Sequence, residues 1–128
     1  ASTNDFAEAD SRLNMSAFND SIATLFALTA SLPRYTQKFT IFGRTLTNVP
    51  IINSTNTNAF ITGILWDASK DTNGEFDLTD NETLLIVSTI NRSKTGTYGV
   101  YDYEAHVPVL VRRLNTTFSQ LAFFVELQ

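Results

Sequence analysis

The sequence predicts a mainly β domain, an Ig-like β-sandwich of about seven strands with one N-terminal α-helix. Three observations lead there. The 128 residues make one domain, long enough to bury roughly two-thirds of its unfolded surface without a staple. Hydrophobic residues make up 43% of the chain, with ten Phe, four Tyr and one Trp, so a packed core is available. Thr and Ser number 28. Thr, Val, Ile, Phe and Tyr favour strands, whereas an Ala-Leu-Glu-Lys helical composition is missing.

Residues 1–15, ASTNDFAEADSRLNM, are polar and without a clear period, and read as an N-terminal arm. Residues 16–32 follow with Phe18, Ile22, Leu25, Phe26 and Leu32 near helical spacing. Ser16 or Asp20 is a suitable cap and Pro33 a stop, which predicts a helix over about 17–31. The period then changes, and residues 33–128 read as the sandwich. YTQKFTIFG and RTLTNVPII are two strands joined at Gly43-Arg44, and NSTNTN is a turn cluster. AFITGILW is an apolar strand whose glycine suggests a bulge. TLLIVSTI is a near-continuous apolar run suited to a central strand. VYDYEAHV alternates strictly, and Pro108 after it argues for an edge or a bulge. VLVRRL continues that strand, and FSQLAFFVELQ ends the chain as another.

The net charge is −4, and it is local. Between residues 67 and 82, six carboxylates face one cation, Lys70, and carry −5; the rest of the chain sums to +1. No basic stripe exists to follow a phosphate backbone, so nucleic acid is not an expected partner. Cysteine is absent, which removes thiol catalysis, disulfides and thiolate metal sites. The longest apolar run, 22–32, is about half of the roughly 20 residues a membrane span requires, so no transmembrane segment is expected here.

The acidic stretch supports a calcium loop, a catalytic cleft or a solvated connection. Calcium takes closely spaced oxygen ligands. Asp71, Asn73, Glu75, Asp77 and Glu82 fit an EF-hand register, but Gly74 is fourth in the count where that loop needs glycine sixth. The flanks also read as strands. A calcium site of another type, drawn from Asp67, Asp71, Asn73, Glu75 and Asp77, stays open, and calcium is the one cofactor considered. Carboxylate pairs also serve glycoside hydrolysis, but only at a defined separation across a groove. His106, the sole histidine, shares one strand face with Asp102 and Glu104, as a solvated polar face also would. No nucleophile elbow or phosphate loop is present, so no catalytic residue is assigned. Trp66 with Tyr98, Tyr101 and Tyr103 is a candidate sugar platform or an aromatic anchor for the core.

Six N-x-S/T sequons occur, at Asn14, Asn19, Asn53, Asn81, Asn91 and Asn115. With 11 Asn and 28 Ser or Thr, about 2.4 are expected by chance. The excess suits glycosylation of an exported surface. Runs of Asn with Ser or Thr also favour turns.

GILWDASKDTNGEFD (63–77), TYGVYDYEAHVPVLVRRL (97–114) and FFVEL (123–127) together resemble the exodomains of archaeal cell-surface proteins with class III, type IV pilin-like signal peptides. The likeness covers roughly residues 60–128. It implies an extracellular β-rich domain of a filament or envelope appendage, structural or adhesive, whose partners are other copies or other envelope subunits. It brings no catalytic residues. A calcium-dependent or glycan-binding module that recognises an S-layer is the alternative. One departure matters: pilin-like proteins begin with an apolar helix of membrane length, and residues 1–32 are too polar for one. The expectation is an anchor upstream, or strand donation by an extended arm at residues 1–15.

Overall fold

The computed structural model describes residues 3–29, 32–54, 57–67, 69–73 and 84–106. Strand dominates, in antiparallel sheets, with two short helices before the main sheet. The expected strands over 107–128 lie outside the described residues.

The first departure from expectation is at the N-terminus. Thr3–Arg12 is a helix, α1, and not an extended arm. Its buried side is Phe6, Ala9 and Asp10, an i, i+3, i+4 stripe. The stripe escapes a hydrophobicity pattern because a carboxylate completes it. The helix ends in a Schellman motif. Asn14 at φ 54° donates its N–H to the Ser11 carbonyl (3.1 Å), and Met15 N–H reaches the Asp10 carbonyl (2.7 Å).

The second departure follows at once. The helix expected over 16–32 is confined to Ile22–Phe26, α2. Residues 16–20 turn instead, held by Phe18 N–H on the Met15 carbonyl and Ser21 N–H on the Phe18 carbonyl. Ser and Thr compete for the backbone here and lower helix propensity. After Phe26 the backbone becomes extended at Ala27, and Ala27–Thr29 (β1) pairs with Leu32–Pro33 (β2). Pairing in a ribbon thus replaces the last turn and a half or so of the expected helix.

A five-residue helix is too short to sustain itself. Three first-turn N–H groups of α2 are satisfied by side chains. Asp10 accepts from Ile22 N–H at 2.7 Å through Oδ1 and from Ala23 N–H at 2.8 Å through Oδ2. Ser21, the N-cap, accepts from Thr24 N–H at 3.2 Å. The Asp10 carboxylate is buried, so α1 serves as the cap that lets α2 form.

The main sheet is four strands in the order β3-β4-β5-β6: Tyr35–Ile41, Arg44–Asn53, Ile61–Trp66 and Leu84–Ser88. The β3–β4 connection is the two-residue turn Phe42-Gly43, with φ 48° and 73°, as a type I′ hairpin requires. Between the pairs Gln37↔Val49 and Phe39↔Leu46, strand β3 has one residue and β4 has two. Asn48, at φ 57°, completes this bulge. The extra residue sets both Leu46 and Val49 on one face. That face gathers Phe39, Val49 and Ile51, with Ile41, Leu46, Ile61, Leu65 and Val87 around them. The opposite face sets Ile52 and Ile64 against Phe6, Ala9, Ile22 and Phe26, flanked by Trp66 and Leu84. The Phe6 and Phe26 rings meet at 6.1 Å between centroids, tilted by 45°.

No bulge marks Gly63; the β5 register is regular through it. The glycine serves packing. A Cβ there would stand 2.8 Å from Val87 Cγ1 and 3.1 Å from both Phe39 Cε2 and Val49 Cγ1. Strand β6, expected at the centre, pairs among the described residues with β5 alone, and Leu85 and Ile86 are exposed. Of the alternating stretch at 100–107, residues 100–106 are described, and of these only Val100–Tyr101 (β8) is strand, paired with Lys94–Thr95 (β7). Residues 103–106 leave the ladder, and the Glu104 carbonyl and His106 N–H meet the Ser88 and Thr62 hydroxyls at the end of the β5–β6 pair. Among the described residues, no helix is long and apolar enough to cross a membrane.

Two substitutions test this architecture by chemical denaturation. Asp10→Ala leaves two N–H groups at the buried α1–α2 contact without an acceptor and lowers stability by about 3 kcal/mol. Gly63→Ala forces Val87, Phe39 and Val49 apart and costs about 2 kcal/mol, although it raises strand propensity.

Candidate functional site

The chain leaves the β5–β6 pair in two directions. Trp66↔Leu84 is the last pair at one end, so the acidic stretch departs there. Thr62↔Ser88 is the last at the other end, where residues 89–106 gather. Four residue rises along β5, about 13 Å, separate the two end pairs.

At the acidic end, two carboxylates are engaged locally. Asp67 Oδ1 accepts from Ser69 N–H at 2.9 Å, and Asp71 Oδ1 accepts from Asn73 N–H at 2.9 Å. These are consecutive Asx turns, four residues apart. The Ser69 backbone N–H, then the Ser69 hydroxyl and the Lys70 charge, hold the Asp67 carboxyl below the usual carboxylate range. Asp67 and Asn73 are exposed and Asp71 is half-buried. Glu75 and Asp77, the other members of the expected calcium set, lie outside the described residues. Among the described residues, no three carboxylate or imidazole side chains gather as a metal set.

The opposite end is a polar clasp. Thr62 and Ser54 are buried, with their hydroxyls in hydrogen-bond contact. Thr62 Oγ1 accepts from His106 N–H at 2.8 Å. The Ser88 hydroxyl lies 3.1 Å from the Ile61 carbonyl and 3.0 Å from the Glu104 carbonyl, and its proton serves either. Asn91 donates its backbone N–H to the Asp102 carbonyl at 2.7 Å and its Nδ2–H to the Ala59 carbonyl at 3.0 Å. Four polar side chains thereby fasten residues 102–106 and the β4–β5 connection to the strand ends. Thr62 is hidden in the apolar run AFITGILW, and only its partners reveal its task.

This geometry separates residues that the sequence placed together. Asp102 Oδ1 accepts from Ser93 N–H and Glu104 Oε2 from Thr97 N–H, each at 2.9 Å. Both carboxylates hold the 91–99 loop, and buried Gly96 leaves room for the Glu104 carboxylate. His106 is exposed and joins the clasp only through its backbone. Asp102, Glu104 and His106 therefore do not form one strand face, because the strand stops at Tyr101. Trp66 is half-buried against the helix-side core. Tyr98, Tyr101 and Tyr103 are exposed beyond the other end of β5, so they do not share a platform with Trp66. Tyr101 donates its hydroxyl to the Tyr98 carbonyl at 2.7 Å, which fixes the tip of the β7–β8 ribbon.

The sequons divide as well. Asn14, Asn19 and Asn53 are exposed, whereas Asn91 is half-buried in the clasp. Asn81 and Asn115 lie outside the described residues.

A carboxylate with a depressed folded pKa adds stability above its unfolded pKa and loses it as pH falls through the folded value. Full exposure keeps that contribution of Asp67 small. Carboxyl NMR titration is therefore the suitable readout. Asp67 titrates below the ordinary aspartate range, and Ser69→Pro, which removes both the N–H and the hydroxyl, moves its midpoint upward.

Comparison with protein-family models, with curated proteins and with solved structures gives no match to this chain.

Proposed function

We propose that this chain is a non-enzymatic, exported domain of an archaeal cell-surface filament or envelope appendage, structural or adhesive in role and self-associating. The observation that carries the reading is the sequon excess, six where about 2.4 are expected. Three of the sequon asparagines have exposed side chains, as a glycan requires. The likeness of residues 60–128 to archaeal pilin-like exodomains supports it. The reading includes the seven-strand Ig-like sandwich expected from the sequence, with the four-stranded sheet as one layer.

The surface suits association. Leu28 and Leu32 on the β1–β2 ribbon, Phe42 at the hairpin apex, and Tyr98, Val100 and Tyr103 around the β7–β8 ribbon are all more than half exposed. Large apolar side chains clustered at projecting ribbons mark contact surface. Residues 3–12 form a helix docked on the domain, so strand donation by that segment is not part of the proposal.

Protease shaving of intact cells, paired with negative-stain microscopy of the purified protein, tests the reading. The domain is expected to be released from the cell surface and to form elongated assemblies. A monomer that stays protected inside the cell membrane rules the reading out.

A further inference from the structure

The described sequons differ in what the fold does with their asparagine. Asn14 is the left-handed residue that ends α1, and both it and Ser16 are exposed. Its backbone bond spans three residues, to the Ser11 carbonyl. Asn19 is exposed five residues later, in the same connection between α1 and α2. Asn91 is different. Its Nδ2, the atom a glycan would occupy, donates to the Ala59 carbonyl 32 residues away, while its backbone N–H holds the Asp102 carbonyl. A sugar there would wedge between the β4–β5 connection and residues 102–106. Asn53 is exposed, but Thr55, the hydroxyl of its sequon, lies outside the described residues.

We infer that the loop joining α1 to α2 is the glycan-bearing face of the domain, with Asn14 and Asn19 as acceptors, and that Asn91 is a structural amide whose glycosylated form does not fit the fold. The inference rests on the exported-surface reading and deepens it. In the transfer, Asn Nδ2 attacks the anomeric carbon of a lipid-phosphate-linked oligosaccharide. A C–N bond forms, the C–O bond to phosphate breaks, and the lipid phosphate leaves with the electron pair. The displaced amide proton passes to a base on the transferase. The transferase also reads the hydroxyl two residues on from the asparagine. At Asn19 that hydroxyl belongs to Ser21, which is buried in the α2 cap. Transfer to Asn19 therefore precedes closure of that cap, and the product still fits the fold because the Asn19 side chain points to solvent. Two hydrated glycans on one short loop keep the helix side of the domain in solvent. Contacts between subunits then fall on the other faces.

Glycopeptide mass spectrometry of the folded protein from a glycosylating host tests this, with surface shaving of the same cells alongside. Occupancy is expected at Asn14 and Asn19 and none at Asn91. Asn14→Gly, which suits the positive φ, and Asn19→Gln each remove one glycan. Made in a host that does not glycosylate, both variants keep the unfolding midpoint of the unsubstituted protein within about 1 °C. Asn91→Gln removes no glycan and lowers the midpoint by about 5 °C. A glycan on Asn91 of the folded protein overturns the inference. Bare Asn14 and Asn19 on a protein that shaving releases from the cell surface also overturn it, while the exported-surface reading stands. Confinement to the cytosol overturns both together.

Discussion

The buried carboxylate of Asp10 determines the arrangement of the N-terminal third. Its two oxygens take the first two N–H groups of α2, and its own backbone carbonyl takes the Met15 N–H that closes α1. One residue thereby ends one helix and begins the next. Burying a carboxylate is unfavourable unless its lone pairs are used, and here both oxygens are used by oriented donors. The consequence reaches the sheet. With α1 and α2 locked at this angle, Phe6, Ala9, Ile22 and Phe26 form one apolar surface over Ile52 and Ile64. Without that surface, two helices of ten and five residues have little reason to persist in water.

The sheet must serve two apolar faces, and this explains its irregularities. Strand side chains alternate, so an apolar residue at every position serves both faces, as from Val49 to Ile52. The bulge at Asn48 brings Leu46 and Val49 into phase on the face away from the helices. A one-residue slip there would exchange every side chain between faces. Gly63 completes the same face from the neighbouring strand, leaving the space that Phe39, Val49 and Val87 fill. Pro50, which has no N–H to donate, stands just outside the β4–β5 register of Ile51 to Asn53.

The two ends of the β5–β6 pair divide the labour between stability and display. At the clasp, hydroxyls and amides are buried or half-buried and matched, so the polar groups hold chain segments together over long sequence distances. At the acidic end, Asp67 and Asp71 accept from backbone N–H groups two residues away. Long-range bonds raise the cost of opening, whereas local ones leave a loop free to meet a partner. The exported, self-associating role proposed for this domain calls for both: a fastened core and projecting ribbons with apolar tips.

Much of the β architecture was legible in the sequence. β-branched and aromatic runs separated by turn residues gave strands 35–41, 44–53, 61–66 and 84–88 nearly in place, because local propensity and packing agree there. The charge count carried the acidic stretch, whereas the bulge lies at Asn48 and not at Gly63, where the sequence suggested one. What the sequence by itself determined was therefore a strand-rich domain without cysteine chemistry, with one acidic connection and too many sequons for chance. The tertiary structure alone decided that residues 3–12 are helix, because a stripe completed by a carboxylate becomes stabilising only when another helix presents N–H groups to it. It alone shortened the second helix, since pairing of β1 with β2 outweighs a weak Ser- and Thr-rich propensity. It alone dispersed Asp102, Glu104 and His106, and gave Asn91 a structural bond in place of an open side chain. For Asp10 and Asn91 the deciding partners stand 12 to 32 residues away, and hydrogen bonds to such partners leave no periodic trace in a sequence.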